Sequence, residues 1–166
     1  MKLLITIIIS LTLLAQSDAQ ESFTLKKVDI QSLQHRFEKS QYEMNIILTY
    51  LKENYAATSK KLNIQLDSDF DNEECGFTIK FEHGIEYTYR NCGEAKPVEE
   101  VIVLPSIDKS RLQKWIENIH SIYPMDIKNV WYQGENEYGP KDEEAGCYYK
   151  IIPSETNSII ETWCGS

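Results

Sequence analysis

The sequence predicts an α+β fold made of two β-α-β-β-β repeats, each an antiparallel sheet covered by one helix. Residues 22–40 align without gaps on residues 101–119, and the alignment places apolar residues, an Asp and a Leu-Gln pair at matching positions. One pair of cysteines follows in each half, and the two pairs have equal spacing. We therefore expect residues 20–93 to form the first repeat, residues 94–98 a linker and residues 99–166 the second repeat.

The predicted elements follow the same order in both halves. A short β-type run, 23–28 or 101–104, precedes an Asp in helix N-cap position, Asp29 or Asp108. Apolar residues at helical spacing then predict one amphipathic helix per half; they are Leu33, Phe37, Met44, Ile47, Leu48, Leu51 and Tyr55, then Leu112, Trp115, Ile116, Ile119 and Tyr123. A strand, an acidic loop and a hairpin that carries the cysteines complete each half. The strands are expected at 62–66 and 130–133. The sequence is compatible with two separate sheets and with one continuous sheet.

The first residues predict export. Lys2 precedes an apolar run from Leu3 to Ala15, and Ser17-Asp18-Ala19 provides the small residues of a cleavage site before Gln20. The run is shorter than the roughly 20 residues that a membrane-spanning helix needs. We therefore expect residues 1–19 to be a removable signal peptide and the protein to be secreted or periplasmic. The alternative is a retained N-terminal helix.

Export favours disulfides, and no two cysteines have the C-x-x-C spacing of a zinc or redox site. Among three possible connectivities, strand register favours Cys75–Cys92 and Cys147–Cys164. If residues 147–152 pair with residues 159–164, the cysteines face each other; Ile152 then faces Ile159, Lys150 faces Glu161 and Tyr148 faces Trp163. The earlier hairpin, which pairs Phe77 with Tyr89 and turns at residues 82–84, needs a bulge beside Cys92.

This predicted topology resembles that of cystatin-type domains, in which a helix lies over an antiparallel sheet with a disulfide-linked hairpin. The protease-binding Gln-Val-Val-Ala-Gly loop of that family is missing. The nearest position holds Trp131-Tyr132-Gln133-Gly134. The resemblance therefore concerns topology alone and transfers no inhibitory residues.

Composition and motifs argue against several function classes. The chain has 17 Lys and Arg against 26 Asp and Glu, a formal net charge of −9, which disfavours binding to nucleic acid or to anionic membranes. No nucleophile elbow, phosphate loop or dinucleotide fingerprint occurs in the sequence. The histidines His35, His83 and His120 stand apart and are expected to be ordinary surface side chains rather than metal ligands. We expect no enzymatic activity, no cofactor and no metal.

A calcium loop is the alternative for one acidic segment. Residues 67–71 begin like an EF-hand loop, but its sixth position is Asn72 rather than Gly and its twelfth is Thr78 rather than Glu. A solvated acidic loop is therefore the preferred interpretation. Each half carries five carboxylates in such a loop: Asp67, Asp69, Asp71, Glu73 and Glu74, then Glu135, Glu137, Asp142, Glu143 and Glu144. In a duplicated fold, the two loops would make one end of the molecule negative.

The second acidic loop, 131–146, is the predicted contact surface. Trp and Tyr often anchor protein interfaces, and an acidic field speeds the capture of a basic partner. The partner-binding residues are expected to be Trp131, Tyr132, Glu135, Glu137 and Tyr138. The alternative is a solvated loop whose Trp131 faces the core.

Together these features predict an exported, disulfide-stabilised binding protein that masks or inhibits another protein, as an immunity protein or a hydrolase inhibitor does. Its partner is expected to be another exported protein with a basic contact surface. The alternative function is an exported module that binds calcium or a small ligand, held between helix and sheet or in the acidic loops.

Overall fold

The computed structural model describes residues 23–68, 70–93, 97–124, 127–132, 134–142 and 145–165. Within these residues, three α-helices and an eight-stranded antiparallel sheet confirm the predicted α+β class. The elements in chain order are α1 (Ile30–Lys39), α2 (Ile46–Asn54), β1 (Leu62–Asp67), β2 (Glu73–Lys80), β3 (Glu86–Arg90), β4 (Val98–Pro105), α3 (Lys109–His120), β5 (Asn129–Trp131), β6 (Glu137–Pro140), β7 (Gly146–Pro153) and β8 (Asn157–Gly165). The predicted signal peptide, 1–19, lies outside the described residues, as do residues 94–96 of the predicted linker.

The two halves of the chain share one continuous sheet. Its strand order is β1-β2-β3-β4-β8-β7-β6-β5. Strands β4 and β8 join the halves in a ladder that runs from Val98 opposite Cys164 to Pro105 opposite Asn157. Val98, the last residue of the predicted linker, is the first residue of β4. The β1–β2 turn and the β5–β6 turn lie at opposite edges of the sheet.

One face of the sheet, here called the inner face, packs on the helices. Alternate residues of β4 and β8 are buried, as the period of a half-covered strand requires. The strand residues of this face and the apolar faces of the three helices form one hydrophobic core. Its most buried members include Leu51, Leu112, Ile116, Ile85, Tyr87, Ile102 and Ile160.

Two predicted helix N-caps are confirmed. The Asp29 carboxylate accepts the backbone N–H of Ser32 at 3.1 Å at the start of α1. The Asp108 carboxylate accepts the backbone N–H groups of Ser110 and Arg111 at the start of α3. These bonds satisfy amide groups that have no partner within the helix.

The prediction of one long helix before Tyr55 was wrong. Residues Gln41 and Tyr42 adopt left-handed backbone conformations, with φ of 56° and 69°, which a helix does not contain. The Ser40 hydroxyl accepts the backbone N–H of Met44 at 3.1 Å, and the Asn45 side chain caps α2. These local polar contacts replace helical hydrogen bonds between α1 and α2.

The predicted strand at 23–28 was also wrong. The backbone N–H of Lys26 donates to the Tyr55 hydroxyl at 2.9 Å, and its carbonyl accepts from the Tyr50 hydroxyl at 2.6 Å. The hydroxyl groups of Tyr50 and Tyr55 therefore make the backbone hydrogen bonds that a neighbouring strand would otherwise make with this segment. Since the second half has the extra strand β6, neither half shows the predicted β-α-β-β-β order.

Both predicted disulfides are present, Cys75–Cys92 and Cys147–Cys164. Strands β7 and β8 have the predicted register, with Tyr148 opposite Trp163. At the other hairpin, the backbone N–H of Asn91 donates to the Cys75 carbonyl at 2.7 Å, which leaves Cys92 one residue beyond the facing position, as predicted. Two disulfides are compatible with an exported protein.

The described part of the chain contains no helix with the length and apolar character that would let it span a membrane.

Candidate functional site

A cavity of about 490 Å³ lies between the inner face of the sheet and the connection from α1 to α2. Strand residues form its floor, and residues of the helices and their connection form its roof. The residues that define its chemistry are Glu100 and Thr162 on the floor, Asn45 above them, and the aromatic residues Phe37, Phe77 and Tyr123. Ligand cavities in proteins commonly have a volume of this order, about 300–1,000 Å³.

Glu100 is the charged group at the floor of this cavity. It lies on β4, faces the helices and is only 7% exposed. Tyr87 of β3 donates its hydroxyl proton to Glu100 Oε1 at 2.7 Å, and Asn45 Nδ2 donates to the same oxygen. Thr162 of β8 donates to Oε2 at 3.2 Å. Two neighbouring strands and the cap of α2 therefore fix the position of this carboxyl group.

Burial controls the electrostatics of this group. Loss of hydration raises the pKa of Glu100, while the hydrogen bonds from Tyr87, Asn45 and Thr162 oppose that shift. Burial and the nearby Glu100 also raise the pKa of Tyr87 well above its usual value, so its hydroxyl stays protonated and remains a donor.

The walls of the cavity are largely aromatic. The Phe37 ring meets the rings of Tyr42 and Tyr123 edge to face, each at a centroid distance of 5.3 Å. On the sheet side, the rings of Phe77 and Tyr89 lie 5.5 Å apart. These walls offer both apolar surface and electron-rich ring faces to a bound molecule.

Charged side chains surround the mouth of the cavity. Lys61 Nζ lies 4.3 Å from the centre of the Phe77 ring and pairs with Glu74. The exposed side chains of Glu43 and Lys52 also line the mouth, and their charges are opposite. A molecule that enters therefore passes a rim of mixed charge before it meets the buried carboxyl group.

The predicted partner-binding residues lie together on strands β5 and β6 and the turn between them, at the edge of the sheet opposite β1. Trp131 faces Tyr138 in the strand register, and their rings lie 4.9 Å apart. The Trp131 indole N–H donates to Glu117 Oε1 at 3.0 Å. Both aromatic rings are only partly exposed and pack against the core. They support the hairpin as well as contributing to its surface.

The acidic members of this group are ion-paired. Lys109 Nζ lies 3.9 Å from Glu135, and Lys150 Nζ lies 3.1 Å from Glu137. Tyr132 donates its hydroxyl proton to the carbonyl of Pro140. Strand β6 (Glu137–Pro140) lies within the predicted acidic loop, 131–146, and divides it into two turns. Glu143 and Glu144 of that loop lie outside the described residues.

One histidine prediction was wrong. His35 and His83 are exposed, but His120 is only 8% exposed, with its ring 5.5 Å from that of Tyr138 and 5.9 Å from that of Tyr149. Burial lowers the pKa of His120, which favours the neutral imidazole.

Asp67 of the first acidic loop stabilises the fold. This residue is buried, and its carboxylate accepts the backbone N–H of Gly93 near the Cys75–Cys92 disulfide. Asp69 lies outside the described residues. Among the residues that are described, no three His, Cys, Asp or Glu side chains are grouped so that they could hold a metal ion.

Sequence reasoning missed Glu100, Asn45 and Tyr87. A signal for Glu100 was present, because Val98, Glu100, Ile102 and Leu104 alternate along one strand and therefore share a face. A charged residue in an otherwise apolar series indicates a buried polar group that needs partners.

No protein-family model, no curated protein and no solved structure matches this chain.

Proposed function

We propose that the protein is an exported, non-enzymatic binding protein that holds a small organic ligand in the cavity above Glu100. One observation carries the proposal: a buried, hydrogen-bonded carboxyl group forms the floor of a largely aromatic cavity of about 490 Å³. Concave, mostly apolar sites with a few fixed polar groups are typical of small-ligand binding.

The position of Glu100 supports this proposal, because core packing alone does not favour a carboxyl group at a buried position. Its burial opposes ionisation, and an apolar residue would fill the same space without that penalty. Its donors come from Asn45, Tyr87 and Thr162, which hold it in one orientation. Prearranged polar groups of this kind raise affinity because they need little ordering when a ligand binds.

Export rests on the predicted signal peptide and is compatible with the two disulfides. A disulfide-linked protein outside the cytoplasm can capture or carry a ligand without a cofactor. The Cys164 end of one disulfide also lines the cavity, so this cross-link stiffens the floor.

Ligand extraction tests the proposal. The oxidised protein would be incubated with the exported small-molecule fraction of its source, repurified and examined by native mass spectrometry. The variant Met44→Trp fills the cavity from the roof, while Ile64→Trp places the same side chain on an exposed position of β1. We expect a bound mass with the wild type and Ile64→Trp, and its loss with Met44→Trp.

Retention of the same bound mass by Met44→Trp would contradict a site in this cavity. Absence of any bound mass from the wild type, in repeated extractions, would contradict the small-ligand function itself.

A second candidate is the masking of another exported protein by the β5–β6 edge. It is favoured by the juxtaposition of Trp131, Tyr138, Glu135 and Glu137 beside a strand whose outer edge has no neighbour in the described sheet. Tyr132 completes this surface. A basic partner would compete with Lys109 and Lys150 for the two carboxylates, which are 73% and 48% exposed.

Affinity enrichment from exported proteins tests this candidate. The double variant Glu135→Gln/Glu137→Gln removes the charges without touching the aromatic packing, and Glu73→Gln/Glu74→Gln removes two charges at the opposite edge. We expect a stoichiometric partner with the wild type and the control, and at least about tenfold weaker capture by the first double variant. Equal capture by all three proteins would contradict this surface.

A further inference from the structure

We infer that the ligand of the cavity carries an organic ammonium group, which binds Glu100 Oε2 while its apolar body lies against the aromatic walls. This inference rests on the proposed function of the cavity and names the chemical class of its ligand.

The first argument is the hydrogen-bonding capacity of Glu100. Its two oxygens can accept about four hydrogen bonds. Oε1 accepts from Tyr87 and Asn45, whereas Oε2 accepts from Thr162. Within the described structure, Oε2 therefore keeps one acceptor position, and Glu100 and Thr162 both line the cavity. A ligand that fills this position must therefore be a hydrogen-bond donor.

The second argument is charge. Among the described residues, the donors to Glu100 are all neutral side chains and no ion pair includes Glu100. Lys61, which lines the same cavity, pairs instead with Glu74. A cationic donor would add an opposite charge to its hydrogen bond and would therefore stabilise a buried carboxylate more strongly than a neutral donor does.

The third argument comes from the walls. Ammonium groups bind the faces of aromatic rings, and the attraction grows when water is excluded. The cavity already shows this contact, because Lys61 Nζ lies 4.3 Å from the centre of the Phe77 ring. Phe37, Tyr42 and Tyr123 extend the aromatic surface on the roof side.

An anionic ligand fits less well. Its charge would face Glu100, and the two lysines stand at the mouth rather than at the floor. Glu43 offsets the charge of Lys52 at that mouth, and Glu74 offsets the charge of Lys61. The deep part of the cavity is thus left with one acidic group and electron-rich rings.

Binding of an ammonium group is expected to favour the ionised form of Glu100. The groups that face Glu100 are Tyr87 and Tyr89 of β3, Tyr123 after α3 and Tyr149 of β7. Burial is the leading cause that raises the pKa of Tyr87, Tyr123 and Tyr149, so these phenols stay neutral. Lys52, Lys61 and Glu43 at the mouth complete the set. Amine affinity should therefore increase as the pH rises through the titration of Glu100.

Three compounds of similar size test the inference: 2-phenylethylamine, 2-phenylethanol and phenylacetate. Their binding would be measured by calorimetry and NMR with the wild type, Glu100→Gln and Glu99→Gln. The last variant is the matched control, because it makes the same change one residue away on an exposed position of β4. We expect the amine to bind the wild type and Glu99→Gln at least about tenfold more tightly than the alcohol.

Glu100→Gln should reduce amine affinity at least about tenfold and should change alcohol affinity by a much smaller factor, because the alcohol carries no charge. A cooperative unfolding transition would establish that this variant folds. We expect it to fold, because the glutamine carbonyl can still accept hydrogen bonds from Tyr87 and Asn45. Equal affinity for amine and alcohol, blocked by Met44→Trp, would overturn the ammonium assignment and leave the cavity as a ligand site. Failure of all three compounds to bind at millimolar concentration would also overturn the assignment, and the extraction experiment then judges the proposed function separately.

Discussion

The side chain of Asn45 caps α2 and also donates a hydrogen bond to Glu100 on the sheet. Its Oδ1 accepts the backbone N–H of Leu48 at 2.7 Å, and its Nδ2 reaches Glu100 Oε1 and, at 2.7 Å, the Tyr87 hydroxyl. One residue thus sets both where the second helix begins and how the buried carboxyl group is held. The helix layer and the floor of the cavity are coupled through this amide.

Replacing Asn45 with Asp separates these two roles. Asp caps a helix as well as Asn does, but it cannot donate to Glu100 and it brings a second carboxyl group next to the first. We expect Asn45→Asp to lower the free energy of unfolding by about 1–3 kcal/mol at neutral pH, and by less in acid. Chemical denaturation measures this change.

The matched control is Asp29→Asn, which makes the reverse exchange at the exposed cap of α1. It should change stability by no more than about 0.5 kcal/mol. If Asn45→Asp were as stable as the wild type, the coupling between cap and carboxyl group would be refuted.

His120 predicts a pH dependence of stability. Because burial lowers its pKa in the folded state below the ordinary value of 6.5, the unfolded chain binds the proton more readily. The contribution of neutral His120 is therefore complete above pH 6.5 and is lost as the pH falls through the folded-state pKa. The variant His120→Phe should lose less stability than the wild type on acidification, as measured by urea unfolding across this range.

His35→Gln is the control, since His35 is exposed. Its acid-induced loss of stability should parallel that of the wild type. A parallel loss in His120→Phe as well would mean that His120 does not contribute to the pH dependence.

The two disulfides should contribute similarly to stability, because each joins cysteines 17 residues apart. In the chain-entropy description, loops of this length correspond to about 3 kcal/mol each. We expect Cys75→Ala/Cys92→Ala and Cys147→Ala/Cys164→Ala each to lower the unfolding free energy by about that amount. A loss below about 1 kcal/mol for either pair would show that its cross-link does not restrict the unfolded chain as described.

Gly139 of β6 has no room for a side chain. A Cβ atom there would lie 2.8 Å from Cε1 of the Tyr148 ring, which is stacked on Trp163 at a centroid distance of 5.4 Å. Gly139→Ala should therefore lower stability by about 1–3 kcal/mol. The loss should be smaller in a Tyr148→Ser background, and an equal loss in both backgrounds would exclude this contact as the cause.

Features set by neighbouring residues were predictable from the sequence. The β7–β8 register follows from complementary facing pairs such as Lys150 with Glu161, and Asp29 and Asp108 mark helix starts through local caps. The break between α1 and α2 was missed because apolar spacing continues from Phe37 to Ile47, while Ser40 and Asn45 redirect the backbone. The spacing of apolar residues does not show where a polar side chain takes the place of a helical backbone hydrogen bond.

Features set by distant residues were not predictable in the same way. The pairing of β4 with β8 joins segments that are far apart in the chain, and several strand orders satisfy the same alternation. The burial of Glu100 depends on Asn45, Tyr87 and Thr162, which come from three separate elements. Trp131 and Tyr138 were assigned to one contact loop on composition alone, and their packing on the core depends on α3, which the loop sequence does not reveal.

The titration of Glu100 tests the central claim most directly. Carboxyl ¹³C NMR would follow this residue across pH, with Glu100→Gln to assign its signal, in the absence and presence of 2-phenylethylamine. We predict that free Glu100 titrates above the ordinary glutamate value of 4.5, because burial raises its pKa, and that the amine moves the midpoint to lower pH. An ordinary midpoint that does not respond to the amine would contradict both the buried state of Glu100 and its role in binding an ammonium group.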